Sequence, residues 1–171
     1  MEEKKEKKWI AVYTKSRAEC SVVTKLESSG LTCFYPQRQS IRQSSDRKKT
    51  IKVPLIPSYV FVNIELCKYH RVFESDAVLK VITFNNRVAI VRSDEIKLLR
   101  LACEDSEVKL ESDISNRIGE SVEITEGLFA GYSGIVVGKR KCSKVAIQIQ
   151  ELGLSLVVTV PKLQVRLKEA V

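Results

Sequence analysis

The hydrophobic positions of this chain follow two regimes. Over residues 9–105, alternating runs are interleaved with two stretches of helical period; beyond residue 117 only short alternating runs remain. Trp9-Ile10-Ala11-Val12-Tyr13 alternates as a strand, with Trp9, Ala11 and Tyr13 on one face. Ser16-Arg17-Ala18-Glu19 has the spacing of a capping box, a hydroxyl at the N-cap and a carboxylate three residues on. Ala18, Val22 and Leu26, with Val23 beside them, then predict an amphipathic helix closed by a left-handed Gly30. Residues 31–35 read as a second strand, stopped by Pro36.

The run Val53-Pro54-Leu55-Ile56-Pro57-Ser58-Tyr59-Val60-Phe61-Val62 is the most informative stretch. Its second half alternates, so Tyr59 and Phe61 face one way and Val60 and Val62 the other. Its first half cannot be an ordinary central strand, because Pro54 and Pro57 lack a backbone donor. A half-buried strand entered through a proline-stiffened loop is one reading; a proline-framed apolar docking surface is the other. The second reading expects Tyr59 and Phe61 on a partly exposed patch, with Val60 and Val62 buried.

Residues 67–74 predict one or two helical turns. Residues 78–84 are β-branched and apolar, hence a strand, followed by an Asn85-Asn86 turn. Ser93 is a plausible N-cap, with Asp94 and Glu95 suited to the positive end of a helix dipole; Ile96, Leu99, Ala102 and Cys103 form that helix's apolar face. The expected organisation is therefore a charged tail (1–8), an α+β domain with an antiparallel sheet and flanking helices (9–105), a polar linker (106–116) and an all-β domain (117–171). The last carries five short strands, at 122–124, 135–137, 145–149, 156–160 and 164–167. Their turn residues include Gly127, Gly131, Gly134, Gly153 and Pro161. At this size a small closed barrel is expected, since closure removes exposed edges. Gly134 is expected to mark a bulge or a close backbone approach.

Charge and composition narrow the function. The net charge is +8, about +7 of it over residues 1–110, so contact with a polyanion falls to the first part of the chain. Residues 38–52 concentrate Arg38, Arg42, Arg47, Lys48, Lys49 and Lys52; a solvated hairpin or mobile loop is one reading, a brush against a nucleic-acid backbone the other. Five cysteines are an odd number with no C-x-x-C pair, which argues against a disulfide framework or zinc site and for mostly buried free thiols. The single histidine, His70, has no nucleophile or carboxylate at a motif spacing, and no catalytic constellation stands out. Neither an enzyme nor a cofactor is expected. No apolar run approaches the roughly 18 residues needed to span a bilayer, and residues 1–8 carry charges of both signs without a signal core. A cytoplasmic protein without membrane contact is expected.

Two segments carry a family resemblance. The Val53–Val62 run, preceded by Trp9-Ile10-Ala11-Val12-Tyr13-Thr14-Lys15, resembles the N-terminal (NGN) domain of the NusG family of transcription elongation factors. Val122-Glu123-Ile124-Thr125-Glu126-Gly127-Leu128-Phe129-Ala130-Gly131-Tyr132-Ser133-Gly134-Ile135-Val136 resembles the KOW motif that opens the family's SH3-like C-terminal barrel. The Ser45-Asp46-Arg47-Lys48-Lys49 segment and the proline-framed run look most like the specialised paralogues of the RfaH and UpxY type, which serve long operons such as those for capsular or surface polysaccharides.

The resemblance implies a monomeric transcription elongation or antitermination factor that sits on the β′ clamp helices of RNA polymerase. By position, Tyr13, Ile56, Pro57, Tyr59, Phe61 and Phe84 would line the clamp-binding surface, Ile56 standing where relatives often have Phe. Lys15, Arg17 and Lys25 would face non-template DNA; Arg17 and Lys25, at i and i+8, would share a helix face. Arg47, Lys48 and Lys49 would add contact by charge to DNA or nascent RNA. The polymerase β subunit is a further contact, although residues 67–74 lack the hydroxyl-rich run that makes it in RfaH-like proteins. Phe129 would reach a partner of the barrel, ribosomal protein S10 or the termination factor Rho. The RfaH-type helical storage form of the C-terminal domain is not expected here: Ile135-Val136-Val137 and Val157-Val158-Thr159-Val160 are poor helix formers, as are the glycines among them. A general housekeeping NusG and a ribosome-associated RNA-binding module are the alternatives.

Overall fold

The computed structural model describes residues 6–43, 48–112, 119–139 and 142–168. The chain begins with β1 (Lys7–Thr14), α1 (Glu19–Ser28) and β2 (Thr32–Phe34). The hairpin strands β3 (Gln37–Gln43) and β4 (Lys48–Pro54) and then β5 (Tyr59–Glu65) follow. After a 3-10 helix over Leu66–Glu74 come β6 (Val78–Val81), the small hairpin β7 (Thr83–Phe84) and β8 (Arg87–Val88), β9 (Ile90–Val91) and α2 (Ser93–Glu104). Among the described residues that follow, the elements are strands and short 3-10 turns: β10 (Lys109–Ser112), β11 (Ser121–Ile124), β12 (Ser133–Lys139), β13 (Ser143–Ile149), β14 (Leu154–Val160) and β15 (Val165–Leu167).

The first sheet runs β2-β5-β1-β6, with β9 also paired to β1, and these ladders are antiparallel. Period two divides its residues between two cores. Ile10, Val12, Val60, Val62 and Ile64 share one buried cluster with Val22 and Leu26 of α1. Ala11 and Phe61 belong to another with Ile96, Leu98, Leu99 and Ala102 of α2. The sheet is thus the middle layer between two helices, which explains why β1 and β5 carry apolar residues at consecutive positions.

The second sheet runs β10-β14-β13-β12-β11-β15. The five expected strands are β11 to β15, and the helical storage form is absent from the described residues. The expected linker behaves differently: its residues 109–112 are β10, paired with β14 from Lys109↔Val157 to Ser112↔Leu154. Polar Lys109, Glu111 and Ser112 hid this strand, because an edge strand with one solvated face needs few apolar residues. The five expected strands follow one another as β14-β13-β12-β11-β15, the small β domain anticipated, and β10 extends it at the β14 edge. A Cβ on Gly134 would overlap the Ala146 carbonyl oxygen and lie 2.8 Å from Val145 Cγ1, so this glycine marks the close approach anticipated for it.

The two sheets meet through α2. Gln150 N–H donates to Glu95 Oε1 (3.1 Å) and the Tyr132 hydroxyl to the Asp94 carbonyl (3.4 Å). Glu95 also accepts the Arg92 N–H (2.9 Å), so α2 starts one residue earlier than anticipated, with Arg92 rather than Ser93 at the N-cap. Arg38 Nη1 donates to the Val108 (2.6 Å) and Ser106 (3.3 Å) carbonyls, tying the hairpin to the segment that leads into β10.

The cysteines depart from the sequence reading. Cys20, Cys67 and Cys142 are exposed and Cys33 and Cys103 half-buried. Cys20 sits on the solvent side of an amphipathic helix and the other two near element ends, where no core is within reach.

Candidate functional site

The end of the first sheet holds the aromatic residues that the sequence singles out. Tyr13 is the penultimate residue of β1 and Tyr59 opens β5; the two are direct cross-strand neighbours, and their rings meet edge to face at 5.4 Å and 80°. On the other side of Tyr13, Lys80 of β6 is its ladder partner and holds Nζ 5.6 Å from the ring centroid. Both tyrosines are half-buried, and burial, followed by the neighbouring Tyr13, pushes the Tyr59 phenol above its ordinary pKa.

What fixes this corner is the turn before β5. The Tyr59 N–H closes onto the Ile56 carbonyl (3.4 Å), with Pro57 at the second turn position and Ser58 at the third with φ 64°. That is the pattern of a type II turn, whose third position normally takes glycine. Ser58 is retained by three contacts: its N–H donates to Glu19 Oε1 (2.8 Å), and its carbonyl accepts from Thr14 N–H (2.8 Å) and from the Thr14 hydroxyl (3.4 Å). Glu19 is 4% exposed and Thr14 1%. Glu19 therefore does not cap α1 from within a capping box: α1 starts at Glu19, Ala18 is the N-cap, and no side chain caps it. A carboxylate at this position is more useful to the buried Ser58 amide than to an exposed helix end, where water competes.

The six expected clamp residues divide by exposure. Pro57 is exposed, Tyr13 and Tyr59 half-exposed, and Phe84 59% exposed at the tip of the β7–β8 hairpin. Asn85 and Asn86 make the turn there, with φ 49° and 59°. Ile56 and Phe61, by contrast, are 2% and 0% exposed. The face of Phe61 is the expected one, and Val60 and Val62 are buried as expected; the exposure expected of Phe61 is overturned. The cause is tertiary. Phe61 shares its core with the apolar side of α2 and tilts against Phe34 at 6.0 Å, and Arg100 of α2 lies 4.4 Å above the Phe34 ring. Tyr13 and Tyr59 thus form a half-exposed aromatic pair beside the exposed Pro57, Ile56 and Phe61 are buried, and Phe84 stands exposed on its own hairpin.

The basic residues do not gather as the spacing suggested. Lys15, Arg17 and Lys25 are all exposed. Arg17, at φ 64°, lies in the left-handed turn ahead of α1, so it shares no helix face with Lys25, which sits near the helix's other end. Arg47 lies outside the described residues, as do the side chains of Lys48 and Lys49, whose backbone opens β4.

In the C-terminal sheet, Phe129 is 4% exposed and packs in the core with Ile124 and Val122, whereas its neighbour Leu128 is 43% exposed. The loop reverses tightly, Ala130 N–H to the Gly127 carbonyl and Gly131 N–H to the Ile124 carbonyl, which turns Phe129 inward. Sequence reasoning missed Glu19, Thr14 and Lys80, which lie far from Tyr59 along the chain; only the pairing of β1 brings them to it.

No group of three or more His, Cys, Asp or Glu among the described residues could hold a metal ion, and none of the described helices is long and apolar enough to cross a membrane. The comparison with curated protein sequences returned no match. A solved structure described as "Domain interaction in Thermotoga maritima NusG" is 23% identical with a TM-score of 0.54, over 95% of this chain and 98% of that one. This likeness concerns the fold. Conformation A of the MjSpt4:Spt5 complex overlaps 94% of this chain and 97% of its own at 16% identity, with a TM-score of 0.30 too low to add to the comparison. Residues 7–100 match the family model for NusG, described as transcription termination factor nusG, so the chain belongs to the NusG family of transcription factors.

Proposed function

We propose that this protein is an elongation and antitermination factor that docks on the clamp helices of RNA polymerase and favours processive transcription of specific long operons, polysaccharide operons among them. The observation that carries the docking reading is the locked aromatic pair. Tyr13, Tyr59 and Phe84 keep exposed ring surface, and Glu19 and Thr14 hold the turn that aims Tyr59. Rigid aromatic groups make effective anchors for a helical partner, because little conformational entropy is lost on binding. Lys15, Arg17 and Lys25 then meet non-template DNA through phosphate contacts. Leu128, rather than Phe129, is the apolar side chain that the KOW loop offers to ribosomal protein S10 or Rho.

The test is capture of purified RNA polymerase by the full chain. Tyr13→Ala combined with Phe84→Ala removes two exposed rings without touching Ile56 or Phe61. Undiminished capture by this variant, with its circular dichroism unchanged, would rule out the docking surface. The scope of action is read by deleting the gene and mapping transcripts. Loss of distal reads in one long operon supports the specialist; a genome-wide change places the protein with general NusG factors.

A further inference from the structure

Two of the uncovered rings have a cation as their cross-strand neighbour. Tyr13 pairs with Lys80 in the β1–β6 ladder, and Lys80 Nζ lies 5.6 Å from the ring centroid. Phe84 pairs with Arg87 in the β7–β8 hairpin. Directly opposed residues of an antiparallel pair stand close enough to interact, so backbone pairing carries each cation alongside its ring. Lys80 and Phe84 are four positions apart, which limits their Cα separation to at most about 14 Å. Three turns of one helix cover about that distance. Beside Phe84 lies a cavity of about 460 Å³ lined by Phe84, Asn85, Arg87, Val88 and Ile90. Its lining is apolar except for the Asn85 amide and the Arg87 guanidinium.

Lys80 and Arg87 are exposed, and neither is in a salt bridge among the described residues. Lys15, two positions after Tyr13, is a third exposed cation. Asp76 is exposed next to Ala77, whose carbonyl accepts the Lys15 N–H, and offsets at most one of the three charges. A partner that covers these rings must therefore also cover positive charge. A wholly apolar partner would strip water from an ammonium and a guanidinium without replacing it, which opposes binding. A basic partner is repelled. Carboxylates flanking an apolar ridge meet both demands, and a helix supplies that pattern from residues three and four positions apart.

We infer that Lys80 and Arg87 set the specificity of the docking surface, admitting an acidic amphipathic helical partner and disfavouring neutral or basic ones. Apolar side chains of that partner meet Tyr13, Phe84 and the cavity, while its carboxylates meet the two cations. This selection by charge rests on the docking reading above and names the chemistry of the surface that docks.

The test uses the full chain and purified core RNA polymerase free of nucleic acid, with association and dissociation followed by surface plasmon resonance. Lys80→Gln combined with Arg87→Gln should slow association about fivefold and change dissociation less than about twofold, because exposed charges act mainly on encounter. Lys80→Glu combined with Arg87→Glu should slow association roughly thirtyfold. Both differences should fade as salt rises from about 0.1 to 1 M. Lys80→Arg with Arg87→Lys keeps the charges and should associate as the parent does. Lys144→Glu with Lys168→Glu, exposed in the second domain, alters net charge as much as the double Glu variant and should also match the parent. Selection by charge is refuted if the folded Lys80→Glu/Arg87→Glu protein associates like the parent while Tyr13→Ala/Phe84→Ala loses capture, an outcome that leaves the docking reading standing. It is refuted equally if Lys144→Glu/Lys168→Glu slows association as much, or if the variants differ only on polymerase loaded with nucleic acid. Undiminished capture by Tyr13→Ala/Phe84→Ala removes the docking reading itself and the selection with it.

Discussion

Removing the carboxylate of Glu19 should loosen the turn that aims Tyr59. Glu19 is nearly solvent-free and its Oε1 accepts the buried Ser58 N–H at 2.8 Å. A hydrogen bond to a charged acceptor contributes about 1.5–3 kcal/mol, and a buried donor left without a partner costs about 1–3 kcal/mol. These are two descriptions of one loss and are not added. Glu19→Ala should therefore destabilise by about 3 kcal/mol, including the small void left by the shortened side chain. Glu19→Gln keeps an acceptor oxygen without the charge and should cost about 1 kcal/mol. In a chain of this size these correspond to falls in Tm of roughly 6–12 °C and 2–4 °C. Ser58 supplies the complementary arm. At φ 64° a glycine is under no strain, so Ser58→Gly should be neutral or stabilising by up to about 1 kcal/mol, whereas β-branched Ser58→Val should destabilise by about 1–3 kcal/mol. Urea denaturation followed by circular dichroism reads all four variants. A Glu19→Ala protein within about 0.5 kcal/mol of the parent would refute the claim that this carboxylate holds the turn, as would a Ser58→Gly loss larger than that of Ser58→Val.

Three further outcomes are expected of other contacts in the fold. Gly134→Ala places a methyl group against the Ala146 carbonyl oxygen, which the β12–β13 ladder prevents from moving; a loss of about 1–3 kcal/mol is expected in thermal denaturation. Glu95→Ala removes the acceptor shared by the Arg92 and Gln150 amides; hydrogen exchange at Gln150 should accelerate while the β13–β14 amides keep their protection. Burial, reinforced by Glu27, pushes the Cys33 thiol from 9.0 up to about 12. The folded chain then keeps a proton that the unfolded chain releases above pH 9, so this group's contribution to stability is lost as pH rises from about 9 to 12. Cys33→Ala should remove that part of the alkaline decline, measured as a shallower fall of urea midpoint with pH than in the parent.

The legible parts of this fold were those governed by local period. Alternation located β1, β5 and strands β11 to β15 of the second sheet, and four-residue recurrence located both helices. Left-handed Gly30 and the Asn85-Asn86 turn followed from backbone sterics alone. The candidate site was legible to the extent that it lies in the proline-framed run. Its supports were not, because Glu19 had an equally good local use as a helix cap and Lys80 an unremarkable place in a strand. The 106–116 segment was misread for the opposite reason: edge strand β10 draws its order from β14 rather than from its own residues.

The sequence by itself determined which way each strand residue points, hence the buried Val60 and Val62 and the common face of Tyr59 and Phe61. That follows from the two-residue period of an extended chain and needs no partner. Only the tertiary structure decided what covers each face. It buried Phe61 and Ile56 in the core to which α2 contributes, left Tyr13 and Tyr59 half-exposed and Phe84 exposed, and turned Phe129 inward while Leu128 stayed out. Side-chain direction is a property of neighbouring dihedral angles, whereas exposure depends on segments distant in sequence that pack only when the whole core forms.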